Sequence, residues 1–180
     1  MQGKSYAITG TNGSGKSTLL QIIAGATLHS EGTIVYSSEQ PNEIAIPENA
    51  YKQIAIAAPY LDLVEEMTAT EFLAFHSAFK PLTTNFTEIL SAVGLQKAAG
   101  KQIRYYSSGM KQRLKLAQAF FSQTSVLLLD EPTTNLDEEG IEVYKNLWTK
   151  YTANRLVIVS SNDKAEYNNC VDVIRIGDYK

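Results

Sequence analysis

The chain has 180 residues, 44% apolar and 19% charged, with a formal charge of −3, which predicts one globular domain and gives no reason to expect nucleic acid as a partner. No run approaches the roughly 18 apolar residues of a spanning helix, and Gln2, Gly3 and Lys4 after Met1 are not a signal-peptide core, so a soluble, cytoplasmic chain is expected. The single Cys170 excludes an internal disulfide and, with no Cys or His at metal-ligand spacing, reads as a buried structural thiol.

In chain order, the first element is a strand over Tyr6 to Ile8. It runs into Gly10-Thr11-Asn12-Gly13-Ser14-Gly15-Lys16-Ser17-Thr18, a match to G-x-x-x-x-G-K-S/T, and the apolar helix TLLQIIAG follows. The glycines let backbone N–H groups turn inward on a compact anion, to which the helix N-terminus adds partial positive charge. Lys16 is then placed for the β and γ phosphates, and the Ser17 hydroxyl for Mg²⁺. Further strands are expected at Ile34 to Tyr36 and Ile54 to Ala57.

From about Val64 to Lys111 the alternation of strand and helix lapses into helical pieces around Phe72 to Phe79 and Thr87 to Val93. One domain over 1–180 is therefore expected, with a core of about 1–63 and 112–180 and a helical lobe of about 64–111. Lys97, Lys101, Arg104, Lys111, Arg113 and Lys115 form a basic run without interleaved aromatics; Lys111 and Lys115, one turn apart, suggest a solvated helix face rather than a nucleic-acid patch. Met110, Leu114, Ala117 and Phe121 form one helical stripe, and Ile141, Tyr144, Trp148 and Tyr151 another.

Between these helices, Val126 to Leu129 is apolar on both faces, as a covered parallel strand should be. It delivers Asp130 and Glu131 at its carboxyl end, where α/β sheets place ligands. Beside the phosphate loop, Asp130 suits a water-mediated hold on Mg²⁺ and Glu131 suits orienting or deprotonating the attacking water. On their own, the two acids could merely cap the turn at Pro132; beside the phosphate loop that reading is weak. Strands at Leu156 to Val159 and Val171 to Ile176 complete an α/β fold with a mainly parallel sheet.

Two further motifs extend the reading. Tyr106-Ser107-Ser108-Gly109-Met110-Lys111-Gln112-Arg113 resembles the L-S-G-G-Q-x-Q-R signature of the ATP-binding-cassette family, and Glu131-Pro132-Thr133-Thr134-Asn135-Leu136-Asp137 resembles its E-P-T-x-x-L-D segment. The resemblance covers the whole chain and implies a P-loop NTPase fold binding ATP with Mg²⁺. It also implies a head-to-tail homodimer in which Ser107, Ser108 and Gly109 meet the γ phosphate of the other subunit while Asp137 aligns the two sites. Ser108 and Met110 replace the usual first glycine and glutamine.

Four features depart from that family's pattern. Only nine residues precede Gly10, leaving no upstream aromatic to stack on adenine, and Tyr6 reads as core; either the N-terminus is truncated or adenine is held otherwise. Counting back from Thr68, the metal-touching glutamine falls at Pro59, which has no side-chain donor, and Gln53 lies too early. The switch histidine is replaced by Asn162, an amide that cannot become cationic, while His29 and His76 are ordinary surface or packing residues. The lobe is short and nothing follows Gly177-Asp178-Tyr179-Lys180, which by analogy leans toward export or an uncommon permease.

Taken together, these residues imply the ATPase subunit of a membrane transporter, slow in turnover because of Pro59 and Asn162 and peripheral at the inner membrane face through a permease. Its expected catalytic residues are Glu131, Lys16 and Asn162, with Ser17 and Asp130 at the metal. The loop Pro59 to Glu66, with Tyr60, Leu61, Leu63 and Val64, is the candidate permease contact, with packing within the lobe as its equal alternative. A soluble nucleotide-gated clamp of the same family is the second class. A small P-loop kinase is disfavoured because the signature stands where a kinase needs acceptor and lid elements.

Overall fold

The computed structural model describes residues 3–37 and 51–179. Five strands, β1 (Ser5–Thr9), β2 (Ile54–Ala57), β3 (Val126–Asp130), β4 (Leu156–Ser160) and β5 (Asp172–Arg175), form one sheet in the order β2-β3-β4-β1-β5. Every neighbouring pair is parallel. All carboxyl ends therefore lie at one edge of the sheet, where β1 runs into the phosphate loop and β3 into Asp130 and Glu131.

Among the described residues six α-helices accompany the strands: α1 (Lys16–Ile23), α2 (Ala69–Ser77), α3 (Phe86–Ala92), α4 (Ser108–Phe121), α5 (Glu138–Tyr151) and α6 (Lys164–Tyr167). Side chains of β3 alternate between two cores, as a period of two requires. Leu127 and Leu129 join Leu114, Phe120, Tyr144 and Trp148 beneath α4 and α5, whereas Leu128 joins Ile8, Leu20 and Ile54 beneath α1. This double coverage explains why β3 is apolar on both faces. Both predicted stripes face inward, with Leu114, Ala117, Phe121, Tyr144 and Trp148 buried and Met110, Ile141 and Tyr151 partly so.

Between β2 and α4, α2 opens with a capping box in which Thr68 and Glu71 exchange hydrogen bonds, and Asn85 caps α3. Phe72, Leu73, Ile89 and Leu90 from these helices pack into the same core as Leu127 and Leu129. Helix α4 itself runs through residues 111 and 112 without interruption. At its far end Arg155, buried at the start of β4, donates to the carbonyls of Phe120 (3.0 Å) and Ala119 (3.3 Å) and to the Thr124 hydroxyl (2.5 Å). Burial pushes the Arg155 guanidinium down to about 10.

Two expectations need correction. Ile34 to Tyr36 forms no strand, because no described strand pairs with it; Tyr36 instead reaches the end of α1, its hydroxyl donating to the Ile23 carbonyl at 2.8 Å. Lys111 and Lys115 do not form a solvated face. They are partly buried and face the loop after β2, with Lys111 paired to Glu65 at 2.5 Å and Lys115 donating to the Pro59 carbonyl at 2.8 Å. Cys170 is partly buried, which raises its thiol to about 11 against a hydrogen bond from Ser5 that lowers it. Among the described residues no helix is long and apolar enough to cross a membrane.

Candidate nucleotide site

The loop between β1 and α1 closes as the motif requires. Gly15 takes the N-cap position of α1 with φ 98°, a left-handed conformation that glycine adopts without a Cβ penalty. No side chain caps the helix start, so its first N–H groups stay available to an anion. Lys16 is buried and folds back over the loop, its Nζ donating to the carbonyls of Gly10 (2.8 Å) and Thr11 (3.4 Å). The cation thus sits inside the concavity that its own loop forms.

Around this concavity, three polar atoms are buried without a hydrogen-bond partner: Ser14 Oγ, Asp130 Oδ1 and Ser160 Oγ. Asp130 and Ser160 are register partners on β3 and β4, and β4 pairs in turn with β1, which leads to Ser14. Orphaned polar groups cost about 1–3 kcal/mol each, so their gathering at one sheet edge marks a place built for a ligand. A carboxylate oxygen without donors fits a hard divalent cation, and Ser17, in the first turn of α1, carries a hydroxyl oxygen of the right kind. Glu131 follows in the left-handed region, φ 41°, with its N–H donating to Ser160 O at 2.9 Å. This is an unfavourable backbone conformation for a side-chain-bearing residue.

Asn162 reaches the phosphate loop directly: its Oδ1 accepts from Gly10 N at 3.1 Å and its Nδ2 donates to Asn12 Oδ1 at 3.5 Å. Pro59 offers only its carbonyl, which Lys115 holds. The neighbouring Tyr60, which sequence reasoning passed over as a side chain of this site, hydrogen-bonds Gln21 on α1. Burial raises the Tyr60 phenol first, and the Asp130 charge raises it further, against the lowering effect of that hydrogen bond. Gln21 lies one helical turn beyond Ser17, so Tyr60 comes to the face of α1 that carries the Ser17 hydroxyl.

The signature segment lies at the opposite end of α4 from Arg155. Ser107 is the N-cap, its hydroxyl accepting from Met110 N at 3.2 Å. Gly109 packs so closely on the turn after β3 that a Cβ there would lie 2.9 Å from the Asn135 carbonyl. Gln112, buried, donates to the Pro132 carbonyl at 2.9 Å. Asp137 caps α5 through Gly140 N at 2.9 Å. The fold thus brings Gly109 against Asn135 in the turn after β3, while the phosphate loop meets Asn162. His29 is exposed, and His76 packs between lobe and core with Nε2 2.8 Å from Ser122 Oγ.

Residues 1–134 match the ABC transporter family model. The chain is 31% identical to the ABC transporter ATP-binding protein YybJ of Bacillus subtilis (strain 168) over 176 residues, covering 96% of this chain and 79% of that one. It is 32% identical over 166 residues to the cytochrome c biogenesis ATP-binding export protein CcmA of Rhodopseudomonas palustris (strain BisB5), covering 88% and 78%. An ABC transporter ATP-binding protein from Pyrococcus furiosus superposes with a TM-score of 0.78 at 23% identity, over 98% of this chain and 86% of that one. Fold and phosphate loop define a P-loop nucleotide-binding protein with a mainly parallel sheet. More particularly, the chain belongs to the ABC transporter family, as one of its ATP-binding members.

Proposed function

We propose that this chain is the ATP-hydrolysing subunit of an ABC membrane transporter, in which two copies close head to tail on ATP and transmit that closure to a permease. The observation that carries the reading is the grouping of Lys16 with the unpartnered Ser14, Asp130 and Ser160 atoms at the sheet edge. Residues Gly10 to Thr18 cradle the phosphates, and Lys16 exchanges the loop carbonyls for the β and γ phosphates. Ser17 and Asp130 would hold Mg²⁺, which when bound would neutralise phosphate charge. Glu131 orients the attacking water or takes its proton.

Across the dimer, Ser107, Ser108 and Gly109 present a helix start to the other subunit's nucleotide, and Asp137 sits beside that joint. Asn162 steadies the loop through Gly10 and brings no cation, which supports slow turnover. The loop Pro59 to Glu66 is the permease contact, placing the chain at the inner face of the membrane. The name of the Rhodopseudomonas relative, an export protein, supports export.

Glu131→Gln tests this reading. It should reduce ATP turnover by about 10² or more while preserving an ATP-dependent dimer measured by light scattering. Turnover within twofold of wild type would show that Glu131 is not the base, and failure to co-purify with any integral membrane subunit would remove the transporter assignment.

A further inference from the structure

Helix α6 is only four residues long, yet both of its ends are tied into the site. Before it, Asn162 accepts from Gly10 N, and Asp163 caps the helix through Ala165 N at 2.9 Å. Within it, Glu166 is only 5% exposed and points its Oε1 at a single residue, Thr133, accepting from the backbone N–H at 2.7 Å and from the hydroxyl at 2.5 Å. The Tyr144 hydroxyl donates to the Glu166 carbonyl at 2.8 Å, which fixes the helix from beneath. A carboxylate removed from water in this way is tolerable only with its donors in place, so the Thr133 contact is a specific one.

Thr133 stands at the centre of a turn that needs holding. Glu131 and Asn135 on either side both have left-handed backbones, φ 41° and 65°. The turn is closed by Thr134 N to Glu131 O (3.1 Å) and Leu136 N to Thr133 O (3.0 Å). From outside it is held by Gln112 on the Pro132 carbonyl and by Gly109 against the Asn135 carbonyl. Glu166 is the hold that comes from the phosphate-loop side.

We propose that Glu166 is a positioning residue for Glu131 and Asn135, its carboxylate fixing Thr133 so that α6 carries the placement of the phosphate loop, taken up by Asn162, to the turn beneath the signature helix. Its consequence for catalysis rests on the reading of Glu131 and of the ATP-closed dimer given above; its structural content does not. The link is a chain of direct contacts from Gly10 through Asn162, α6 and Thr133 to Asn135 and Gly109.

The full chain is compared with Glu166→Ala, Glu166→Gln and Thr133→Val. Amide exchange read by mass spectrometry without nucleotide should rise about tenfold over 131–136 in Glu166→Ala, with the phosphate loop changed less than about twofold. Glu166→Gln, whose amide oxygen still accepts both Thr133 donors, should recover most of the protection. With ATP, Glu166→Ala should lower kcat about tenfold at nearly constant KM and weaken the ATP-dependent dimer of Glu131→Gln, and Glu166→Gln should again recover most of both. Unchanged exchange over 131–136 in Glu166→Ala, or Gln as damaging as Ala, overturns the proposal. Should Glu166→Ala fail to fold, Thr133→Val removes the hydroxyl donor alone, and unchanged exchange in that variant is equally decisive against it. If Glu131→Gln forms no ATP-dependent dimer, the functional reading fails, while the exchange comparison still decides the role of Glu166.

Discussion

Gly109→Ala separates the positioning of the signature helix from the stability of the fold. The new Cβ would lie 2.9 Å from the Asn135 carbonyl oxygen, a distance real Cβ atoms essentially never show, and that oxygen belongs to backbone rather than to a flexible side-chain end. Gly109 lies in the first turn of α4, where alanine gains about 0.5–1 kcal/mol over glycine in helix propensity. Relieving the overlap costs about 1–3 kcal/mol. The net loss is therefore about 0–2.5 kcal/mol, which for a domain of this size moves Tm by no more than about 10 °C. The displacement, however, falls where α4 meets the Glu131 to Asp137 segment. Differential scanning fluorimetry should show a modest change in Tm, while light scattering in the Glu131→Gln background should show the ATP-dependent dimer weakened at least about tenfold. A Gly109→Ala chain that dimerises like its parent would refute the claim that this contact sets the helix start.

Asp130→Asn should stabilise the nucleotide-free chain by about 1 kcal/mol, since it replaces a buried carboxylate oxygen that has no donor, and should abolish the extra stabilisation that Mg²⁺ adds to ATP in a thermal-shift assay. A lower Tm without nucleotide would contradict it. Burial first, and the Lys80 charge second, push the His76 imidazole down from 6.5 to about 4. Its folded pKa lies below its unfolded one, so the contribution is present above pH 6.5 and lost as pH falls toward 4. His76→Gln can keep a donor to Ser122 Oγ without titrating, and urea unfolding between pH 7 and pH 4 should show a shallower loss of stability than wild type.

The parts of the fold legible in the sequence are those whose physics is local. Gly10 to Thr18 carries its own turn, helix start and cation, and β3 announces its double coverage by being apolar throughout. The misreadings arise where a partner outside the local window decides. Ile34 to Tyr36 has a strand-like composition but no described strand beside it. The spacing of Lys111 and Lys115 correctly places them on one helix face; what fills that face is the loop around Pro59, 56 residues away from Lys115. The apolar run at Val171 to Ile176 does yield β5, as an exposed edge strand. Glu166 offered no local sign at all, because its partner Thr133 lies 33 residues earlier and only the pairing of β3 with β4 brings them together.

The loop after β2 shows why a proline can stand at Pro59. Helix α4 reaches β2 and the loop after it three times from one face: Lys111 to Glu65, Lys115 to the Pro59 carbonyl, and Gln118 to the Ile56 carbonyl at 3.1 Å. Two of these contacts read backbone oxygens, which proline supplies as well as any residue. The next residue, Tyr60, is the one whose phenol feels both the Gln21 side chain and the Asp130 charge. A push on the loop therefore reaches α4 through its own tethers, and α4 passes it through Gln112 and Gly109 to the turn that Glu166 holds from the other side. On the proposed reading, coupling would run through backbone carbonyls and helix faces more than through a switch side chain. Replacing Lys115, which donates to the Pro59 carbonyl, should on that account uncouple the loop from α4 more effectively than a glutamine at Pro59 would tighten it.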